Sequence, residues 1–199
     1  MFTRIFTGPM FSGKTRRLVT ALERYVYAKK YVLWVDPKQD TRGGSHGNYI
    51  AQRMSELKQF EYVIHVIVSD PSEIIPKALE VLKTHKLEAI FIDEYHMLDF
   101  KRQFFYDYEA SDLKDIPLTF SGLIVGCDAI VLNVAREVLP FMDSIEKENA
   151  VCMDCGKPAN YYTYIGNWSI DKRVDTGKNY KCLCHDCYMK VTGRPISVE

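Results

Sequence analysis

The chain has 199 residues, which is enough for one complete domain and a small second unit. Hydrophobic residues make up 47% of the sequence and charged residues 26%, as is usual for a globular protein. The 26 basic residues balance the 26 acidic residues, so the chain lacks the net positive charge that nucleic-acid-binding proteins usually carry.

The first element is a short predicted strand at residues 2–6, and a helix is predicted from residue 13 to about residue 30. Between them the sequence reads Gly8-Pro9-Met10-Phe11-Ser12-Gly13-Lys14-Thr15, which matches the phosphate-loop pattern G-x-x-x-x-G-K-[ST] completely. The glycines let backbone N–H groups turn inward, and the helix N-terminus adds partial positive charge. We expect Lys14 to reach the β- and γ-phosphates of ATP and Thr15 to bind Mg²⁺.

Strands and helices alternate along the following segments. Strands are predicted at 31–35, 62–68, 89–92 and 117–125. Helices are predicted at 101–109, at 130–142, and from Ser72 onward with Ile75, Leu79 and Leu82 on one face. Residues 37–49 are rich in glycine and polar side chains and predict a loop. The alternation predicts an α/β fold of the P-loop type, with a parallel sheet that has helices on both faces.

Two carboxylates, Asp93 and Glu94, follow the hydrophobic strand at 89–92. In P-loop enzymes the first such aspartate commonly holds the Mg²⁺ shell, so we predict that role for Asp93. Glu94 would then orient water in a hydrolase, or accept the proton of the acceptor hydroxyl in a kinase.

Five of the six cysteines follow residue 150, and four of them form two Cys-x-x-Cys pairs: Cys152 with Cys155, and Cys184 with Cys187. This spacing predicts a structural Zn²⁺ site in a small lobe that could not hold itself together by burial alone. Disulfides are the alternative, which a reducing compartment disfavours. Cys182 and His185 are further candidate ligands, and Cys127 is best explained as a small buried hydrophobic residue.

The change in composition predicts a nucleotide-binding domain at 1–149, a zinc lobe at 150–193 and a tail at 194–199. No apolar run is long enough to span a bilayer, and residues 1–7 do not have the pattern of a signal peptide. These features argue against a membrane, the cysteine pairs indicate a reducing compartment and the balanced charge argues against nucleic acid, so we expect a cytoplasmic protein that contacts neither.

The phosphate loop, the Asp-Glu pair and the cysteine lobe together resemble the type II thymidine kinases, and the resemblance covers nearly the whole chain. The spelling GPMFSGKT is a familiar form of the loop in that family. Further matches are Asp40-Thr41-Arg42 and the segments 150–155 and 183–188, with Tyr180 four residues before Cys184.

The resemblance implies transfer of the γ-phosphoryl group of ATP, with Mg²⁺, to the 5′-hydroxyl of a deoxynucleoside, most simply thymidine. Glu94 would be the general base, with Arg42 near the transferred group. Leu123 and Tyr180 would lie on the substrate side. The segment between Cys155 and Cys184 would form a lasso over the nucleoside, and a homotetramer is expected by analogy.

Three segments depart from the family pattern: Tyr95-His96-Met97, residues 124–128, and Val174-Asp175-Thr176. Because these positions would line the base pocket, the resemblance does not imply strict specificity for thymidine. Two other interpretations are a P-loop ATPase whose zinc ribbon binds nucleic acid, and a nucleotide-binding regulator without activity. The neutral charge and the short length of the chain disfavour the ATPase. The retention of Lys14 and Glu94 disfavours the inactive regulator.

Overall fold

The computed structural model describes residues 1–40, 60–166 and 179–193. Six parallel strands form the central sheet in the order β3-β2-β4-β5-β1-β6. The strands are β1 Thr3–Thr7, β2 Tyr31–Pro37, β3 Val63–Val68, β4 Leu87–Ile92, β5 Leu118–Gly122 and β6 Ser144–Lys147. The α-helices among the described residues of this part are α1 Lys14–Tyr27, α2 Ile74–Leu82, α3 Arg102–Glu109 and α4 Asn133–Val138. The predicted α/β class with a parallel sheet is confirmed.

Alternate residues of the central strands face opposite layers of helices. Val32 and Trp34 of β2 pack in the cluster that contains the buried face of α1. Leu33 and Val35 pack in the larger cluster with the buried side chains of α2 and α3 and with Val138 of α4. This period of two, with both faces apolar, explains why β2 reads as a continuous hydrophobic run.

Several predicted boundaries were wrong. The helix expected from Ser72 is preceded by a single 3₁₀ turn at Pro71–Glu73, and Asp70 caps that turn by accepting a hydrogen bond from the Ser72 N–H at 2.9 Å. The strand expected at 117–125 ends at Gly122. The helix expected at 130–142 is α4, followed by a 3₁₀ turn at Leu139–Phe141 that contains a proline.

Where the structure describes it, the cysteine-containing lobe has two short antiparallel ribbons and one helix. These elements are β7 Ala150–Val151, β8 Pro158–Ala159, β9 Tyr161–Tyr164, β10 Tyr180–Leu183 and α5 His185–Thr192. The lobe packs directly against the first part of the chain, because Met10 and Leu123 share a hydrophobic cluster with Tyr162, Tyr180 and Leu183. Within the described residues no helix combines the length and the apolar character needed to cross a membrane.

Candidate active site and cysteine cluster

The phosphate loop joins β1 to α1, and its backbone needs glycine at two positions. Gly8 and Gly13 have φ angles of 145° and 87°, which side-chain-bearing residues rarely adopt. A Cβ atom on Gly8 would lie 2.2 Å from the carbonyl oxygen of Glu148. The loop therefore depends on glycine both for its turn and for its close contact with the chain after β6.

Lys14 and Thr15 begin α1 and face the interior of the loop region. The Lys14 side chain is buried, and its Nζ donates a hydrogen bond to the Pro9 carbonyl oxygen at 2.8 Å. The Thr15 hydroxyl donates to Oδ1 of Asp93 at 3.3 Å. A cation, a hydroxyl and a carboxylate thus meet at the N-terminus of a helix, where anionic phosphates are favoured.

Asp93 and Glu94 lie where β4 ends, and both are buried, at 6% and 4% exposure. Burial raises the pKa of Asp93 well above its usual value, and repulsion from Glu94 and Asp36 adds to the rise, against hydrogen bonds from Ser121 and Thr15. A divalent cation would relieve that repulsion. The chemistry of this donor set therefore fits Mg²⁺, with Thr15 and Asp93 as the groups that would hold it.

Asp36, which was not among the predicted site residues, also belongs to this region. Asp36 is buried in β2, and its Oδ2 lies 2.8 Å from Nε2 of His65. Because β2 and β4 are parallel neighbours, Asp36 and Asp93 end up at the same edge of the sheet. The signal was present in the sequence as an acidic residue directly after a buried strand, the same arrangement that identified Asp93.

The predicted substrate-side residues Leu123 and Tyr180 are both buried, at 1% and 2% exposure, in the cluster that also contains Met10. The Tyr180 ring lies edge-on to the rings of Tyr162 and Tyr164, with centroid distances of 5.4 and 5.5 Å. Arg42 lies outside the described residues, as do residues 167–178 of the predicted lasso, which include 174–176.

Three tyrosines hold the segment that follows β5. Their hydroxyls donate to alternate carbonyl oxygens: Tyr95 to Leu123 at 2.8 Å, Tyr162 to Val125 at 3.1 Å, and Tyr188 to Cys127 at 3.1 Å. Two of these tyrosines belong to the lobe and one follows Glu94. Residues 123–128 are therefore held by side chains from both parts of the chain, and the two bonds within 124–128, where the sequence departs from the family pattern, come from the lobe.

The four predicted zinc ligands are brought together. The Sγ atoms of Cys152, Cys155, Cys184 and Cys187 all lie within 4.8 Å of one another, and those of Cys155 and Cys184 are 3.6 Å apart. Zinc–sulfur bonds of about 2.3 Å in a tetrahedron place sulfur atoms roughly 3.8 Å apart, so the spacing fits Zn²⁺.

The remaining cysteines have other surroundings, and all six, each within the described residues, are free of disulfide bonds. The Cys182 thiol donates to the Met10 carbonyl oxygen of the phosphate loop at 2.8 Å, so it points away from the metal cluster. Cys127 is buried, as expected. Burial raises the pKa of the Cys152 thiol, but hydrogen bonds from backbone N–H groups, including that of Cys184, outweigh it and lower the pKa to about 6. At Cys152 this favours the thiolate that binds metal, whereas a hydrogen bond with Cys184 raises the pKa of Cys187 to about 12.

A glycine loop between the first strand and the first helix of a parallel sheet, with Lys14, Thr15 and Asp93 around it, defines a P-loop nucleotide-binding protein. Within that class, residues 1–188 match the family model described as thymidine kinase. The chain therefore belongs to the thymidine kinase family.

Similar proteins come from bacteria, archaea and viruses. The chain is 28% identical to the thymidine kinase of Mycoplasma mobile over 195 residues, which cover 98% of this chain and 90% of that protein. It is 29% identical to the thymidine kinase of Thermococcus kodakarensis over 163 residues, or 79% and 76% of the two chains. It is 26% identical to the thymidine kinase of Myxoma virus over 191 residues, or 92% and 94%.

Proposed function

We propose that the protein uses ATP to phosphorylate the 5′-hydroxyl of thymidine. The observation that carries this proposal is the buried pair Asp93 and Glu94 beside the phosphate loop, in a chain that belongs to the thymidine kinase family. Such a pair supplies a carboxylate for the metal and a second carboxylate for the acceptor hydroxyl.

The phosphate-binding part comprises residues 8–15. The phosphates would be surrounded by the backbone N–H groups of residues 8–13, except that Pro9 has no N–H. Lys14 would exchange its contact with the Pro9 carbonyl oxygen for contacts with the β- and γ-phosphates. Thr15 and Asp93 would hold Mg²⁺, which neutralises charge on the phosphates when bound.

Glu94 would act as the general base. Its carboxylate would take the proton of the 5′-hydroxyl while the hydroxyl oxygen bonds to the γ-phosphorus and the bond to the ADP oxygen breaks. Burial at the end of β4 suits this role, because it places the carboxylate away from bulk water at the edge of the sheet where ligands of open α/β sheets bind.

The finer features of the proposal concern substrate, metal and assembly. Leu123 and Tyr180, with Arg42, would contact the nucleoside side of the site. Zn²⁺ on the four cysteines would be structural. We further propose a division into residues 1–149, 150–193 and 194–199, a homotetramer and a cytoplasmic location.

Replacing Glu94 by Gln tests the mechanism, since the amide keeps the shape of the side chain but cannot accept the proton. We expect kcat for thymidine phosphorylation to fall by roughly 10²- to 10⁴-fold, with ATP affinity nearly unchanged because the loop holds the phosphates. Steady-state kinetics and ATP titration measure both quantities, and Glu109→Gln, at an exposed position on α3, is the matched control. Near-parental kcat in Glu94→Gln would show that another group is the base.

The activity itself is tested by measuring ADP formation from ATP with each deoxynucleoside and, separately, with single- and double-stranded DNA. Thymidine-dependent ADP formation with equal formation of thymidine monophosphate supports the kinase. Hydrolysis without nucleoside that DNA stimulates would instead support the ATPase interpretation.

A further inference from the structure

His96 lies two residues after Glu94, on a single 3₁₀ turn at Tyr95–Met97. Its side chain is only 1% exposed, and its Nδ1 atom lies 3.3 Å from Oε2 of Glu94. The same atom lies 3.2 Å from the backbone nitrogen of Leu123, which follows β5. The edge of the imidazole ring therefore lies between Glu94, the proposed base, and Leu123, which is proposed to contact the nucleoside.

The close approach of the ring to β5 depends on Gly122. A Cβ atom at that position would lie 2.8 Å from Nδ1 of His96 and 2.6 Å from Cδ1 of Tyr95. The backbone of Leu123 is held on both sides of its Cα atom, because its N–H donates to His96 and its carbonyl oxygen accepts from the Tyr95 hydroxyl at 2.8 Å. The imidazole thus has little freedom to move.

We propose that His96 is a positioning residue for Glu94, an inference that rests on the proposed role of Glu94 as the general base. One nitrogen cannot serve both neighbours in one protonation state, since it accepts from Leu123 only when unprotonated and donates to a carboxylate only when protonated. In either arrangement the same ring edge limits where Oε2 can lie, and the Leu123 peptide fixes that edge relative to β5.

Glu94 needs such a constraint because its backbone is unusual. Its φ and ψ angles of 46° and 41° are in the left-handed region, which a residue with a side chain rarely adopts. β4 ends at Ile92, so the Glu94 carboxylate is placed by contacts of its own side chain, and that with His96 is one of them. Since a base displaced by about 1 Å can cost roughly 10²-fold in rate, a buried contact that fixes Oε2 matters for turnover.

Replacing His96 by Leu or by Asn separates positioning from packing. Leu is apolar and has similar bulk, whereas the Asn side chain places a hydrogen-bonding atom near the position of Nδ1. We expect His96→Leu to lower kcat by about 10- to 100-fold, the range typical of residues that orient a functional group, with the KM for ATP within twofold. His96→Asn should recover at least part of that loss.

A double-mutant cycle with Glu94→Gln tests whether His96 changes kcat through Glu94. If His96 acts through Glu94, His96→Leu should change kcat by less than twofold once Glu94 is Gln, because no base remains to be positioned. Tyr108→Phe is the control for loss of a buried hydrogen bond, since its hydroxyl donates to the Ile116 carbonyl at 2.9 Å in the cluster behind the sheet. It should lower thermal stability and leave kcat unchanged.

Two results would overturn the positioning role: a parental kcat in folded His96→Leu, or equal losses from His96→Leu in the presence and absence of Glu94. If His96→Leu did not fold, His96→Ala would replace it in the test. A parental kcat in His96→Ala would then overturn the positioning role, and so would a decrease in kcat in His96→Asn as large as the decrease in His96→Ala. Thymidine phosphorylation by the parental protein is measured alongside, so failure of the proposed function would appear there and not in the cycle.

Discussion

At the scale of single residues, Lys14 illustrates how a buried charge can be kept for a ligand. An ammonium group at 6% exposure is costly to bury unless it is hydrogen-bonded, and one of its contacts is the carbonyl oxygen of Pro9. That contact folds the side chain back over the loop. A phosphate group in the loop would offer a stronger, charge-assisted partner at the same place.

Replacing Lys14 by Ala should therefore remove activity and preserve the fold. We expect kcat/KM for ATP to fall by at least tenfold, which corresponds to about 1.4 kcal/mol of transition-state stabilisation. Circular dichroism and thermal melting should match the parental protein, since no hydrophobic cluster contains the lysine. Lys83→Ala, at an exposed position after α2, is the control. Activity above a tenth of the parental value would contradict the phosphate-loop assignment.

At the scale of elements, β6 shows how an edge strand is held without a hydrophobic core of its own. Its residues alternate between half-buried and exposed, and Ile145 is 53% exposed. The strand begins beside a hydrogen-bonded clip. The Thr3 N–H and hydroxyl donate to the Asp143 carboxylate at 2.8 and 2.9 Å, and the Asp143 N–H donates to the Thr3 carbonyl at 3.0 Å.

This clip predicts a pH-dependent contribution to stability. Hydrogen bonds from the Thr3 backbone and hydroxyl lower the pKa of Asp143, so the carboxylate stabilises the fold above its unfolded pKa. The contribution is lost as the pH falls through the lowered folded value. Asp143→Ala should thus melt at a lower temperature than the parent at neutral pH, with a difference that shrinks toward about pH 3. Melting curves across this range, with exposed Asp112→Ala as control, measure it; a constant difference would refute the prediction.

The elements that the sequence predicted well are those with buried apolar runs. β2 and β4 are apolar on both faces, and α1 has a clear stripe that includes Leu18 and Leu22. β6 was missed because Ser144-Ile-Glu-Lys147 has one apolar residue and is ordered mainly by pairing with β1. The expected helix at 130–142 was too long because Pro140 lacks the N–H that an α-helix needs.

The candidate site was predictable where the chemistry is local. The phosphate loop and the cysteine pairs carry their spacing in the sequence, so their residues could be named in advance. Asp36 in β2 contacts His65 in β3, and His96 after β4 contacts Leu123 after β5. Such contacts depend on the order of the strands in the sheet, and that order cannot be read from a single sequence.

At the scale of the whole molecule, the lobe and the phosphate loop form one packed unit. Met10 is buried in the cluster that contains Tyr162 and Leu183, and the Cys182 thiol donates to the Met10 carbonyl. Disorder of the lobe should therefore disturb the phosphate loop directly, through these shared contacts. A structural zinc site holds such a lobe together through its four ligand bonds.

Removal of zinc, by a chelator or by Cys155→Ser, should weaken ATP binding as well as nucleoside phosphorylation. We expect ATP affinity to fall by roughly fivefold or more, the lower end of typical coupling between sites. Elemental analysis and ATP titration measure the two effects, and Met153→Ala, exposed between the first two ligands, should retain both. Protein that is purified without chelators and contains no zinc would refute the metal assignment. Unchanged ATP affinity after zinc loss would refute the coupling.

The shared cluster also limits how the chain can be divided. A fragment that ended before Ala150 would expose to water the sides of Met10, Leu123 and Leu132 that the lobe now covers. A contiguous apolar surface of this kind promotes aggregation, and the peptide segment at 123–127 would lose two of its tyrosine donors at the same time. The two parts therefore cannot be exchanged between proteins as independent modules. A chimera that replaces the lobe must also replace the residues of the first part that pack against the lobe.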